Sequence, residues 1–287
     1  MGDTAETGRL TEAITRLLPE LEQVWRWEEP ERALSERDRW LEGLDRPLPE
    51  TGVGMDQVLD ELVRFVIPYG PSPGKPGFSG YIVNGATTTG VAAQLAAVTA
   101  SPHRYLLTAP NHLEALSLQW LQSLLGVAPT HQVVYSTGGS VANLIALGTA
   151  RQAAYEARGV DPAADGIDGP GRIYASVETH HTIARSAAVL GLGRRSVHPI
   201  PVDDHQRVDV DAIARAIAAD RDAGLVPVAI VGTAGTTNTG AIDPLDELAD
   251  LAEATGVGST WTAPTGCWPR PSPNWRLVSR RSSGPIR

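Results

Sequence analysis

The sequence predicts an α/β protein in which a mostly parallel sheet is sandwiched between helices. Two observations carry this. From residue 133 onward, short runs rich in Val, Ile, Thr and Tyr alternate with longer amphipathic stretches, the pattern of repeated strand–helix units. Residues 133–147 also compress one such unit into fifteen positions. Val133, Val134 and Tyr135 read as a strand end, Ser136-Thr137-Gly138-Gly139-Ser140 as a small-residue turn, and Leu144, Ile145 and Leu147 as an apolar helix.

In chain order, residues 9–27 and 55–66 read as amphipathic helices, the second from Met55, Val58, Leu59, Leu62 and Val63 at helical spacing. The Pro- and Gly-rich residues 68–77 mark a boundary, so residues 1–70 are expected to form a helical arm and 71–257 most of a larger domain. A helix over Leu113–Leu125 stops at Gly126. Then come strand Val133–Ser136, helix Val141–Ala154, a Gly- and Asp-rich surface loop over 157–171 and strand Arg172–Ser176. Helix 182–190, strand 197–202, helix 209–223 and strand Val226–Val231 follow. The last helix, 245–254, is expected to be capped by Asp243, with Pro244 in its first turn. No internal repeat is present.

Composition narrows the function classes. The chain has 287 residues, 42% hydrophobic and 20% charged, as an ordinary globular protein has. A net charge of −9 argues against a nucleic-acid partner. No stretch is long and apolar enough to span a membrane, and the acidic Met1–Glu6 lacks a secretory pattern. One cysteine excludes an internal disulfide framework. A cytoplasmic location is the expectation. Lys75 is the only lysine among 24 basic residues.

The turn at Gly138, Gly139 and Ser140 is a candidate anion cradle. Backbone N–H groups at a helix N-terminus face a negative group that the helix dipole favours, and glycines allow the tight bend. The plainer role for Ser140 is an ordinary helix cap. His180 is either a strand-end histidine satisfied by a hydrogen bond or a site residue. His181 is its neighbour and, in an extended segment, points the other way; no Cys or carboxylate completes a metal site with the pair. Thr233 ends a buried strand, where ligands of open α/β sheets gather. Asn84, His112 and Glu114 have turn or helix-start roles as their alternatives.

Taken together, these segments resemble the group II pyridoxal-phosphate-dependent amino-acid decarboxylases. The resemblance covers about Phe78 to Val257. Phe78–Gly85 is similar to the family's substrate-side loop, Ala109–Glu114 to the segment before its interface helix, and Ser136–Asn143 to its phosphate turn. Glu178–Ile183 is similar to the strand end carrying its ring-stacking histidine, and Gly232–Thr237 with Gly240–Pro244 to the strand and loop beside the cofactor. The resemblance implies a type I pyridoxal-phosphate fold, a homodimer wrapped by its N-terminal arms, and α-decarboxylation of an L-amino acid. It assigns the cofactor phosphate to Gly138, Gly139 and Ser140, ring stacking and proton transfer to His180, cofactor contact to Thr233 and substrate contact to Asn84. Another pyridoxal-phosphate lyase or transferase of the same fold, or a non-enzymatic protein that keeps it, are the alternatives. The family's tethering lysine follows an Asp-x-His-like turn beyond Val257, so Lys75, in a Gly- and Pro-rich loop, does not match it.

Residues 258–287 break the pattern. They hold no Asp, Glu or Lys, but three tryptophans, five arginines and five prolines. A shifted reading frame accounts for them better than a disordered tail. Taking the third base of each codon with the first two of the next, Trp261-Thr262 must give Asp, Cys267-Trp268 Leu and Trp268-Pro269 Ala. The shifted text from Gly258 reads Leu-His-Val-Asp-Gly-Ala-Tyr-Gly with GC-rich third bases, which is similar to the family's continuation and restores its ring-nitrogen aspartate. The expectation is a fold incomplete at its C-terminus, with 258–287 not packed as in the family and the chain inactive.

Overall fold

A computed structural model describes residues 4–24, 35–70, 78, 85–101, 103–106 and 108–263. The chain divides into two units, 1–101 and 102–287, so the boundary read at residues 70/71 falls inside the first.

The first unit is helical. Helices α1 (Thr4–Val24), α2 (Arg37–Leu44) and α3 (Met55–Glu61) are followed by a π-helical turn at Leu62–Val66 and a 3₁₀ turn at Ile67–Tyr69. The helix expected over 55–66 therefore changes winding at Leu62. Arg16 of α1 pairs with Asp56 at 3.0 Å and with Asp60, tying α1 to α3 above the buried Leu59. Helix α4 (Thr88–Ala100) was not legible in the sequence. Its small and mildly polar residues are spread around the helix without an apolar stripe, so it shows no periodicity to read. Thr87 caps it by accepting a hydrogen bond from the Gly90 N–H at 3.1 Å. Its whole length is exposed, Val98 by 67%.

The second unit begins with α5 (Ala109–Leu124). This helix starts earlier than Leu113 because Pro110 sits in its first turn and Asn111 Oδ1 accepts from the Thr108 N–H at 2.9 Å. It ends where Gly126 takes φ 68°. Then α6 (Gly139–Glu156), β1 (Gly171–Ser176), α7 (Thr182–Val189), β2 (Val197–Ile200), α8 (Val210–Asp222), β3 (Val226–Thr233), α9 (Leu245–Thr255) and β4 (Gly258–Thr262) follow. The four strands form one parallel sheet in the order β2-β1-β3-β4.

Alternation along the strands, interrupted where the β1–β3 register shifts between Arg172 and Ile173, divides the core between two faces. Tyr174 and Ile230 pack with Ile213, Ile217 and Leu248 of α8 and α9. Ile173, Ala175, Val228 and Val231 pack with Leu147 and Tyr155 of α6 and Ile183 and Ala187 of α7. This is the α/β/α sandwich that the alternating pattern predicts. The loop over 157–170 is anchored by the Tyr155 hydroxyl, which donates to Gly169 O at 2.8 Å. No helix of the described residues is long and apolar enough to cross a membrane.

Three expectations are corrected. Val133–Ser136 is not a strand: it pairs with none of the four described, and Val134 and Tyr135 are more than half exposed. Asp243 does not cap α9, whose N-cap is Pro244 with no side-chain hydrogen bond. Asp243 turns inward instead, 2% exposed, and its two oxygens accept from the Val208 and Thr233 N–H groups, each at 2.8 Å. Burial pushes its carboxyl above the ordinary value, against the pull of those two amides. Finally, the sheet does not stop at Val257. Gly258–Thr262 pairs with Ala229–Thr233 in register, so the first five residues of the stretch expected not to pack as in the family form a strand of the sheet. Gly232 makes room for it: a Cβ there would lie 2.5 Å from the Trp261 ring.

Candidate functional site

Parallel strands bring the ends of β1, β3 and β4 to one edge of the sheet, with the start of α6 beside them. A cavity of about 370 Å³ opens at this edge. It is lined by the first turns of α6 (Gly139, Ser140, Asn143), by His180 and Thr182 at the start of α7, and by Trp261, Thr262 and Ala263 at the end of β4. Gly138 takes φ 110° as N-cap of the 18-residue α6 and makes no side-chain cap. A Cβ on it or on Gly139 would meet nothing within 4 Å, so the cavity floor here is backbone and open space. The α6 N-terminus borders this space, and its first-turn N–H groups and dipole suit an anion.

The strand end at Ser176 is followed by a turn, so His180 and His181 do not sit in extended chain; His181 has φ −54° and ψ −16°. Their rings do not face opposite ways. They lie against each other, centroids 4.1 Å apart and planes at 36°. The reading from alternation fails because the strand has already ended. His180 Nδ1 lies 2.7 Å from Thr182 Oγ1 and accepts from the Thr182 N–H at 3.3 Å. Asn143 Nδ2 donates to the same Thr182 Oγ1 at 2.9 Å. Burial lowers the His180 pKa below 6.5, and the charges of His181 and Arg185 lower it further.

Thr233 is on the same sheet face as Thr262, its partner in β4, but does not line the cavity. It is 1% exposed and its hydroxyl oxygen has no hydrogen-bond partner among the described residues. Asn84 and Lys75 lie outside the described residues. Among the described residues no three His, Cys, Asp or Glu side chains come together as a metal site requires. The cavity thus joins Gly139, Ser140 and His180, and Thr233 is not among its lining residues although its β4 partner Thr262 is. Asn143 and Thr182 are additions. Asn143 was within reach of the sequence, being three and four positions from Ser140 and Gly139 on one helix face.

A parallel α/β/α sandwich with a Gly-Ser helix start and a histidine at the strand ends is the architecture of a phosphate-cofactor-binding domain. The model of the pyridoxal-dependent decarboxylase conserved domain matches residues 39–262, and the chain belongs to that family, whose cofactor is pyridoxal phosphate. It is 31% identical over 232 residues to the aromatic-L-amino-acid decarboxylase of Bacillus atrophaeus, covering 80% of this chain and 46% of that protein. Over 252 residues it is 31% identical to the cysteine sulfinic acid decarboxylase of Mus musculus, covering 86% and 48%. The crystal structure of mouse CSAD superposes with a TM-score of 0.79 at 27% identity, covering 93% of this chain and 56% of that one. The chain spans about half the length of the curated relatives it matches.

The cavity fits this cofactor in part. The α6 N-terminus suits a phosphate by charge and the His180 ring offers an aromatic face. Among the described residues that line it, none is a lysine that could tether the aldehyde or a carboxylate that could face the ring nitrogen.

Proposed function

We propose that this chain is the cofactor-binding part of a pyridoxal-phosphate-dependent L-amino-acid decarboxylase, itself inactive. The carrying observation is that Gly139, Ser140 and His180, separated by forty residues of sequence, line one cavity. Bound pyridoxal phosphate supplies an electron sink for the bond to the departing carboxylate. Gly138, Gly139 and Ser140 anchor its phosphate, His180 covers its ring, Thr233 supports it from β3, and Asn84 meets the substrate. The relatives are named for aromatic, sulfinic and diamino substrates, so the proposal stops at an L-amino acid.

Equilibrium dialysis tests the anchor without requiring turnover. The chain is expected to bind pyridoxal phosphate and to bind unphosphorylated pyridoxal at least tenfold more weakly. Ser140→Asp, which sets a like charge in the cradle, should abolish the difference. Equal affinity for the two vitamers would overturn the assignment.

The full enzyme is proposed to be a homodimer. Two helices support this separately: α4, exposed along its length, and α5, where Leu113, Trp120 and Leu124 are all exposed. Apolar faces of this size are normally covered by another chain. Sedimentation should find the isolated chain associated or aggregated, and Val98→Glu with Leu124→Glu should shift it to smaller species. A clean monomer before substitution would count against the proposal.

A further inference from the structure

We infer that Asn143 and Thr182 are positioning residues that fix the tautomer of His180, holding its single proton on Nε2. The inference builds on the reading of His180 as the site histidine, but its geometry stands without the cofactor. A backbone N–H can only donate, and that of Thr182 is directed at His180 Nδ1. At 3.3 Å this contact favours a lone pair on Nδ1 but is too long to enforce one alone. The Thr182 hydroxyl has one proton and sits 2.7 Å from the same Nδ1. Asn143 Nδ2 donates to that hydroxyl's oxygen at 2.9 Å, which occupies one of its two lone pairs and leaves its proton free to be donated to Nδ1, the polarity that the Thr182 N–H favours. Every donor in the chain from Asn143 through Thr182 to His180 runs the same way. The neutral imidazole then carries its proton on Nε2, on a ring that lines the cavity.

The arrangement has a chemical consequence. A second proton on Nδ1 would meet the Thr182 N–H head-on, so the relay disfavours the imidazolium in addition to burial. His180 is kept a neutral ring, able to lie against an electron-poor aromatic face, with one defined donor at Nε2. Asn143 belongs to the helix that forms the anion cradle, and Thr182 is the first residue of α7. The same two helices that shape the cavity therefore also set the protonation of its histidine.

The test reads protons rather than turnover. In the full 287-residue chain labelled with ¹⁵N-histidine, two-bond ¹H–¹⁵N correlation distinguishes a nitrogen bearing hydrogen from one with a free lone pair. His180→Gln identifies the His180 signals by their loss. Above its titration midpoint, His180 is expected as the Nε2–H form, unchanged in Thr182→Ser. Asn143→Asp should reverse the relay, because a carboxylate accepts from the Thr182 hydroxyl, which must then accept from Nδ1–H. The Nδ1–H form should therefore appear. In Asn143→Asp with Thr182→Val, the hydroxyl is gone and the Nε2–H form should return, which a charge effect acting through space would not produce. An Nδ1–H or evenly mixed His180 in the unmodified chain would overturn the inference, and so would an Asn143→Asp variant with an unchanged tautomer. The first of these needs no variant to fold. Failure of pyridoxal phosphate to bind would sink the functional proposal and leave this result untouched.

Discussion

Incubated with pyridoxal phosphate and a panel of L-amino acids, the 287-residue chain is expected to release no CO₂ above the cofactor alone. Inserting one base near codon 258 of its gene is expected to open a frame of well over a hundred codons containing a His-Lys pair. The protein it encodes should then decarboxylate one of those amino acids. The reasoning is chemical. The family's chemistry needs a lysine amine, and the only lysine, Lys75, precedes every strand of the sheet in sequence. The cavity wall at Trp261, Thr262 and Ala263 offers no carboxylate, while the shifted codons of Trp261-Thr262 force an aspartate. In the restored enzyme, His180→Ala should lower kcat by about 10²-fold or more, the usual scale for losing a positioned acid–base group. His181→Ala is expected to be milder but not silent. Its ring lies against His180 and its charge helps to lower the His180 pKa, so removing it should move the pH profile upward. Normal turnover by the present chain, or a stop codon soon after the restored Tyr-Gly, would defeat the frame argument.

How much of this was legible in the sequence depends on what each residue had to reveal. From β1 to α9 the alternation of apolar runs and amphipathic stretches was enough, because each helix there buries one face and so carries a period, while β1 and β3, buried on both faces, read as short continuous apolar runs. Helix α4 escaped because the mostly small residues of Thr88–Ala100 form no apolar stripe. Val133–Ser136 has the composition of a strand, but pairing is a property of neighbours, and none of the described strands flanks it. Gly258–Thr262 was set aside because its surroundings in the chain look scrambled. Yet Gly-Ser-Thr-Trp-Thr has the β-branched and aromatic content a strand tolerates, and Gly232 of β3 leaves space for the Trp261 ring.

The site divides in the same way. Gly138, Gly139 and Ser140 were readable because a tight turn before a helix has few chemical uses. The orientation of His180 and His181 was not, since it depends on where β1 ends, and one or two residues of boundary decide whether neighbouring side chains diverge or meet. The relay through Thr182 and Asn143 joins residues 39 positions apart, a separation that no local pattern encodes. Asp243 shows the same limit. An Asp before Pro at a helix start reads as a cap, and only the packing of α8 and β3 around it shows that it faces inward.

That inward carboxylate should carry a large share of the stability of this half of the sheet. Asp243 joins two elements that share no backbone ladder: the Val208 amide, just before α8, and the Thr233 amide, at the end of β3. Its own N–H donates to Thr233 O at 2.9 Å, and Ala234 bridges to Ile242, closing the loop between β3 and α9 around it. Asp243→Ala leaves two buried N–H groups without acceptors. Each such orphan costs roughly 1–3 kcal/mol, so the loss should be about 3 kcal/mol once relief of the buried charge is subtracted. Asp246→Ala, in the exposed first turn of α9, should cost no more than about 1 kcal/mol. Urea denaturation gives the two values side by side. Hydrogen exchange locates the effect: the Val208 and Thr233 amides should be protected in the unmodified chain and exchange far faster in Asp243→Ala. The pH dependence has a definite sign. Because the folded-state pKa is raised above 3.8, the native state binds this proton more tightly than the unfolded chain. The contribution of Asp243 is therefore most favourable below 3.8 and declines as pH rises through the raised folded value, a slope that Asp243→Ala should remove. If Asp243→Ala costs no more than Asp246→Ala and both amides stay protected, the carboxylate is not what holds α8 to the end of β3, and Thr233 owes its position to the strand pairing alone.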